Sequence, residues 1–162
     1  MNFWESKSLN EMSDTEWESL CDGCGKCCLH SFIDSDYEDD ADGFTALRPG
    51  ETLVFTNIAC EYLDDQTCGC KDYINRLTNV PTCVKLHKDN IEQAYFMPQS
   101  CAYRRMLEGR GLPSWHPLRH NGSRDKMEQL GMTVKGRVVN ETKANFDQFE
   151  DYVVDWAEQD LD

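Results

Sequence analysis

Four cysteines lie within eight residues, and this cluster constrains the fold of the chain more than any other feature. The stretch reads Cys21-Asp-Gly-Cys24-Gly-Lys-Cys27-Cys28. All nine cysteines fall between residues 21 and 101 of a 162-residue chain. The other five are Cys60, Cys68, Cys70, Cys83 and Cys101. We expect these thiols to bind metal and the rest of the chain to fold around them.

The cellular compartment decides between two uses of so many cysteines. The first residues lack a basic region followed by an apolar run, so they do not form a secretory signal. No apolar stretch approaches the roughly 20 residues of a membrane span. We therefore expect a cytoplasmic protein, in which thiols stay reduced and clustered cysteines bind metal or carry out redox chemistry. Disulfides are the alternative, although an odd number of cysteines leaves one thiol over.

The charge of the chain argues against two classes of partner. The net charge is -14. A nucleic-acid binder normally has a basic patch, and an anionic membrane surface attracts basic segments. We therefore expect no nucleic-acid partner and no membrane partner. The sequence also contains no Ser/His/Asp order, phosphate-binding glycine loop or paired-carboxylate signature, so whether the chain is an enzyme stays open.

The sequence predicts an α+β fold, in a small irregular metal-stapled domain with mostly short helices around a cysteine-bearing β-hairpin. The length is that of one domain, residues 1–162, with its core at 14–120. Ser13 as N-cap, with Glu16 three residues later, predicts a short helix that runs into Cys21. Residues 53–63 predict a strand, 64–67 a turn, and 68–70 the return arm of the hairpin.

Residues 121–162 are predicted to form a strand–helix extension of this domain. Residues 123–130 predict a helix and residues 132–139 a strand. An amphipathic helix is predicted at the C-terminus, because its apolar side chains recur on one face. These are Phe146, Phe149, Val153, Trp156 and Ala157. Earlier in the chain, the acidic run at 34–42 predicts a solvated loop.

The cysteine stretch resembles the signature of the CxxCxxCC family, bacterial proteins of the YkgJ type that are described as zinc- or iron-chelating. The second half of that signature is similar to Cys60-Glu-Tyr-Leu63, then Cys70-Lys-Asp-Tyr73-Ile-Asn-Arg76, then Cys83. Cys101-Ala-Tyr-Arg104 and the residues from Leu112 to Leu118 resemble the uncharacterised YcgN branch. The resemblance implies chelation and supplies no reaction.

The chain departs from the family pattern in two places. The spacing from Arg76 to Cys83 is longer than usual, and Cys68 is additional to the pattern. We therefore expect Cys68 to matter less for metal binding than the other eight cysteines. These eight are the candidate metal ligands: Cys21, Cys24, Cys27, Cys28, Cys60, Cys70, Cys83 and Cys101.

The spacing of the candidate ligands leaves the metal open. Two residues between cysteines let both sulfurs face one ion, as in zinc sites. The adjacent Cys27 and Cys28 point in different directions, so eight thiols fit two neighbouring sites or one polynuclear site better than one zinc. The first three cysteines match the start of the bacterial ferredoxin run, but the fourth Cys-Pro is absent. Zinc, mononuclear iron and an iron–sulfur cluster therefore all remain candidates.

Two functions are compatible with this sequence. In the first, a small metal-binding protein uses its metal to hold the fold together, and its partner is another protein. In the second, an iron–sulfur or open metal site carries out redox or catalytic chemistry. His30, His87 and His116 are weaker ligand candidates, because a lone histidine is more often a surface or core residue.

Overall fold

A computed structural model describes residues 2–38, 47–81, 83 and 86–160 of the chain. Within the segment 88–96, the side chains at positions 92, 93, 95 and 96 are outside this description. Of the acidic run predicted as a loop, residues 39–42 also lie outside the described residues.

Regular structure is short throughout the described part of the chain. The α-helices are α1 (Phe3–Ser6), α2 (Asp14–Ser19), α3 (Arg76–Asn79), α4 (Ala102–Leu107) and α5 (Asp125–Gln129). The β-strands are β1 (Leu29–Asp34), β2 (Thr52–Ala59), β3 (Val139–Asn140) and β4 (Val153–Val154). Six 3₁₀ segments span Leu9–Glu11, Lys26–Cys28, Lys88–Phe96, Pro117–His120, Phe146–Tyr152 and Trp156–Glu158. The predicted α+β class with short helices is confirmed.

Strand β2 is the centre of a four-stranded sheet. Strand β1 pairs with it antiparallel along one edge. On the other edge, β3 pairs parallel with β2 at Ile58 and Ala59, and β4 pairs antiparallel at Phe55 and Thr56. The two short C-terminal strands therefore follow one another along β2 and cover the hydrogen-bonding groups that β1 leaves open.

The local signals for helix α2 are sufficient to specify it. Ser13 accepts a hydrogen bond from Glu16 N at 3.1 Å, and the Glu16 side chain accepts one from Ser13 N at 2.9 Å. This reciprocal capping box satisfies two backbone donors at the helix start, so the prediction of this helix is confirmed.

The predicted C-terminal amphipathic helix is wrong. A 3₁₀ segment with a kink at Gln148 is followed instead by β4 and by a second 3₁₀ turn. The β-branched Val153 and Val154 pair with the edge of β2, and this need for hydrogen bonding prevails over the helical periodicity. Asp147, Asp151 and Asp155 also repeat at a spacing of four residues, which destabilises a helix by like-charge repulsion.

Two other predicted elements are shorter than expected. Of the strand predicted at 132–139, only Val139 is in β3, and Gly136 interrupts the run with a φ of 71°. The return arm of the predicted hairpin is a single antiparallel bridge between Leu63 and Cys70. The long partner of β2 is instead β1, a strand that was not predicted from the sequence.

Three small hydrophobic clusters replace one continuous core in the described structure. The sheet cluster consists of Leu29, Leu53, Phe55, Ala59, Leu63, Cys68, Val134 and Ala157. The tryptophan cluster consists of Met12, Trp17, Leu20, Ala102, Tyr103 and Leu112. The methionine cluster consists of Cys24, Trp115, Met127 and Met132. No helix in the described ranges is long and apolar enough to cross a membrane.

Gly25 supplies a prediction about how the cysteine stretch is packed. Its φ is 80°, and an added Cβ would lie 2.7 Å from Val134 Cγ2 and 3.0 Å from Cys68 O. Gly109 has a similar φ of 75° with nothing within 4 Å of an added Cβ. We expect Gly109→Ala to cost about 1–2 kcal/mol of unfolding free energy and Gly25→Ala at least about 1 kcal/mol more. Urea denaturation of both variants measures the difference, and equal losses would show that the cysteine stretch is loosely packed.

Candidate metal centre

Helix α2 and two glycines determine the positions of the first four cysteines. Cys21 follows the end of α2, where Leu20 N donates to Trp17 O at 3.1 Å. Gly23 and Gly25 then adopt φ values of 72° and 80°, a region that glycine enters without steric cost. The chain consequently doubles back into the 3₁₀ turn that carries Cys27 and Cys28.

The sheet brings Cys60 next to this first group. The β1–β2 ladder continues past the strand ends, because Cys60 N donates to Cys28 O at 2.9 Å. The tight turn after Cys60 is closed by Lys71 N donating to Tyr62 O at 2.6 Å and by Asp64 N donating to Gly69 O at 2.8 Å. Cys68 and Cys70 therefore return to the side of the fold that carries Cys60.

The tryptophan cluster places Cys101 opposite Cys21. Trp17 of α2 and Tyr103 of α4 have ring centroids 4.8 Å apart, and Tyr103 OH donates to Trp17 O at 2.9 Å. Cys21 comes just after α2 and Cys101 just before α4, so this contact fixes the separation of the two cysteines. Cys83 is held by a turn in which its N donates to Val80 O at 2.9 Å.

All nine cysteines line one cavity of about 230 Å³. None of the nine, which all belong to the described residues, forms a disulfide. Cys24 and Cys68 are buried, whereas Cys21 and Cys27 reach solvent. The two halves of the cysteine pattern, separated by more than thirty residues, thus lie on a shared surface.

The thiols surround this cavity without converging on one point. Within residues 2–38, 47–81, 83 and 86–160, no three His, Cys, Asp or Glu side chains are close enough to hold one ion. Binding a metal ion therefore requires the cysteine side chains to rotate inward or the walls of the cavity to close.

Burial holds several of the thiols in their protonated form. Surrounding protein raises the pKa of Cys21 to about 12, and the negative charge of Asp22 adds to the shift. Burial likewise raises the pKa of Cys101 to about 12, and that of Cys24 well above its ordinary value. Cys21 is open to solvent in part, although protein atoms crowd around it. A metal ion that binds here must displace protons from these sulfurs.

Lys26 places a cation inside the protein beside the cysteines. Its side chain is fully buried, and Nζ donates to Ser100 Oγ at 3.1 Å. Burial lowers the pKa of Lys26, while Cys24 and Asp22 act in the opposite direction. Its backbone N donates to Cys24 Sγ at 3.4 Å, a contact that favours a thiolate at that sulfur.

The histidines do not belong to the cavity wall. None is among the described lining residues. His116 is fully buried, and both ring nitrogens are occupied: Nδ1 accepts from Leu118 N at 3.0 Å and Nε2 lies 2.8 Å from Leu20 O. These contacts fix a neutral ring with its proton on Nε2, and burial lowers the pKa of His116. His30 and His87 are exposed and lie near Glu141 and Asp89.

One residue of the cavity wall, Asp22, was not predicted from the sequence, and another, Cys68, was expected to matter less than the other cysteines. Cys68 lines the same cavity and is only 3% exposed, so the structure gives no reason to separate it from the other eight cysteines. Asp22 also lines the cavity and is buried. Its position inside the cysteine stretch was a signal that could have drawn attention to it.

Comparison with known proteins agrees with this geometry. A family model named CxxCxxCC, described as "Putative zinc- or iron-chelating domain", matches residues 20–102. The chain belongs to the CxxCxxCC family. It is also 48% identical over 162 residues to a UPF0260 protein of Shewanella baltica, with all of both chains covered. UPF0260 proteins of Shewanella pealeana and Shewanella oneidensis are each 46% identical over the same full length. No solved structure matches the chain.

The family model spans every cysteine of the chain, from Cys21 to Cys101. The resemblance seen in the sequence is thereby confirmed. The match to the full-length relatives continues beyond the region of the family model. It includes the C-terminal third of the chain, which carries β3 and β4.

The raised pKa of Cys21 predicts how fast this thiol reacts. Only the thiolate is alkylated, so in reduced, metal-free protein the rate at Cys21 should rise about tenfold per pH unit between pH 8 and 10. Iodoacetamide labelling followed by mass spectrometry measures this rate. The same residue in urea-unfolded chain is the control, and its rate should level off above pH ~9. A levelling at the same pH in the folded protein would show that the pKa of Cys21 is not raised.

Proposed function

We propose that this protein binds zinc or iron in the cysteine-lined cavity, with thiolates from both halves of the chain as ligands. One observation carries the proposal: nine cysteines from well-separated segments line one cavity of about 230 Å³ and form no disulfide among themselves. A buried cysteine that serves only for packing behaves as a small apolar side chain, and packing alone does not gather nine of them.

The chemistry and size of the cavity fit such a metal. Thiolate sulfur is a ligand of both zinc and iron. The volume is several times the roughly 30 Å³ that one water molecule occupies. It therefore offers space for two neighbouring ions or one polynuclear centre, which matches the number of thiols better than a single ion does. The bound metal would supply a cross-link between segments that are distant in sequence.

The other residues around the cavity support thiolate ligands. A zinc ion with four thiolates carries two negative charges, and burying such a centre is costly unless a cation offsets it. The buried ammonium group of Lys26 provides that offset. Trp17 and Tyr103 set the distance between Cys21 and Cys101, and the Lys26 backbone N hydrogen-bonds Cys24 Sγ.

We assign the metal a mainly structural role. Each hydrophobic cluster contributes to the cavity wall: Cys68 from the sheet cluster, Tyr103 from the tryptophan cluster and Cys24 from the methionine cluster. The cavity is therefore the place where the three clusters meet. Empty space at such a junction destabilises a fold, and metal–thiolate bonds across it would hold the clusters together.

The proposal includes another protein as the partner. Its support is a group of apolar side chains on and before α3, which borders the cavity. Tyr73, Ile74 and Leu77 are exposed to 53%, 91% and 45%. Neighbouring apolar side chains at a surface are typical of protein–protein contacts.

A second candidate function is an iron–sulfur or open-site metalloprotein with redox or catalytic activity. The observation that favours it is the access of Cys21 and Cys27 to solvent, since a reactive centre needs an open position. The colour of protein purified without oxygen distinguishes an iron–sulfur centre from a zinc centre. An iron–sulfur protein is brown, whereas a zinc protein is colourless.

The proposed function predicts that metal binding and stability are lost together. We expect Cys24→Ser and Cys83→Ser, one from each half of the pattern, to reduce bound metal and to lower Tm by more than about 10 °C. A strong chelator should lower the Tm of the parent in the same way. Elemental analysis of anaerobically purified protein and thermal unfolding with and without chelator are the measurements.

Met127→Leu is the control, because Met127 is buried in the same cluster as Cys24. This substitution conserves side-chain volume and removes no thiol. It should keep its metal and most of its stability. A Cys24→Ser protein that unfolds like the parent, with or without chelator, would show that metal does not hold this fold. Loss of metal in only one cysteine variant would show that the two halves bind separately.

A further inference from the structure

Asp22 is a buried carboxylate whose surroundings the cysteines alone do not explain. Its side chain is 7% exposed and lies in the wall of the cysteine-lined cavity. Oδ1 accepts a hydrogen bond from Cys24 N at 3.0 Å. Oδ2 is buried and has no hydrogen-bond partner among the described residues. An unpaired buried carboxylate oxygen is costly, so its retention calls for a reason.

Oδ2 differs from the other unpartnered side-chain atoms by its place. Of the buried side-chain atoms without a partner in the described structure, it is the only one on a residue that lines this cavity. Burial raises the pKa of Asp22, while its hydrogen bonds with Cys24 and the charge of Lys26 act in the opposite direction. A cation at Oδ2 would supply the missing partner and offset the charge.

The surroundings of Asp22 are those of a ligand position. Asp22 lines the cavity together with Cys21, Cys24, Cys27 and Cys101, which come from both ends of the cysteine pattern. The hydrogen bond to Cys24 N fixes one oxygen and leaves the other for a single bond to metal. The loop that carries Cys21 and Cys24 also carries Asp22, so all three move together.

We propose that Asp22 is an oxygen ligand of the metal in this cavity, which makes the centre a mixed sulfur–oxygen site. The inference rests on the proposed function, because it needs a metal among the thiols. Carboxylate oxygen is a ligand of zinc and of iron and a poor ligand of soft ions such as copper(I). An oxygen ligand at Asp22 therefore strengthens zinc or iron binding without strengthening copper(I) binding.

The test uses Asp22→Asn, which keeps the shape of the side chain and an oxygen that accepts from Cys24 N. Its amide nitrogen cannot bind metal. Metal-free protein is titrated with Co²⁺ and Zn²⁺ under reducing conditions, with a competing chelator to obtain affinities. Glu18→Gln is the matched control, because Glu18 lines the same cavity and the substitution removes the same charge. Unlike Asp22, Glu18 is exposed, and its Oε2 accepts a hydrogen bond from Tyr73 OH at 3.4 Å.

We expect Asp22→Asn to weaken zinc and cobalt binding by at least about tenfold and Glu18→Gln to change it less than about threefold. The preference for copper(I) over zinc should rise in Asp22→Asn. Asp22→Cys should restore cobalt binding and increase the thiolate-to-cobalt absorbance per bound ion, because a sulfur replaces the oxygen.

Equal affinities for Asp22→Asn, Glu18→Gln and the parent would overturn the assignment of Asp22 while leaving a thiolate metal site in place. An unchanged cobalt spectrum in Asp22→Cys would overturn it as well. A parent protein that binds neither Co²⁺ nor Zn²⁺ nor iron would instead overturn the proposed function, and the assignment of Asp22 with it.

Discussion

A cavity walled with thiols lies where the three hydrophobic clusters of the described structure meet. The sheet, tryptophan and methionine clusters each contribute at least one residue to the wall of this cavity. Short helices and a small sheet bury too little apolar surface to leave a central void without cost. The cysteines therefore line the same space that separates the three hydrophobic clusters.

Two buried ionisable groups accompany the thiols. Asp22 and Lys26 both belong to the cysteine stretch, and both are shielded from solvent. A carboxyl group and an amino group at this depth keep the surroundings of the thiols from being purely apolar. Arg124 adds to this by donating to the carbonyl oxygens of Asp22 and Gly23 at 3.2 Å and 3.0 Å, which ties the cysteine loop to the C-terminal third of the chain.

Local signals in the sequence specified local structure and little else. The capping box of Ser13 and Glu16 predicted α2 because both partners lie within one turn. The helix predicted across Phe146–Ala157 failed because an open edge of β2 more than ninety residues earlier determines the conformation of Val153 and Val154. Residues so far apart in the chain leave no periodicity in the sequence from which the pairing could be deduced.

The candidate site shows the same division between local pattern and three-dimensional position. The spacing of the cysteines and the family signature pointed to eight of the nine thiols. The pattern could not place Cys68, because its position in the cavity depends on the turn that Asp64 N and Gly69 O close. It also could not single out Asp22, since a missing hydrogen-bond partner is a property of the folded chain alone.

The pairing of β2 also has a consequence for how the protein is made. One edge of β2 is covered by β1, which is synthesised first, whereas in the described structure the other edge pairs with β3 and β4, at residues 139–140 and 153–154. During translation, this second edge therefore stays unpaired while roughly eighty further residues emerge, together with most of the thiols. Exposed strand edges recruit other chains. The nascent protein passes through a period in which it is vulnerable both to aggregation and to oxidation, and the period ends only when the last short strand reaches the sheet.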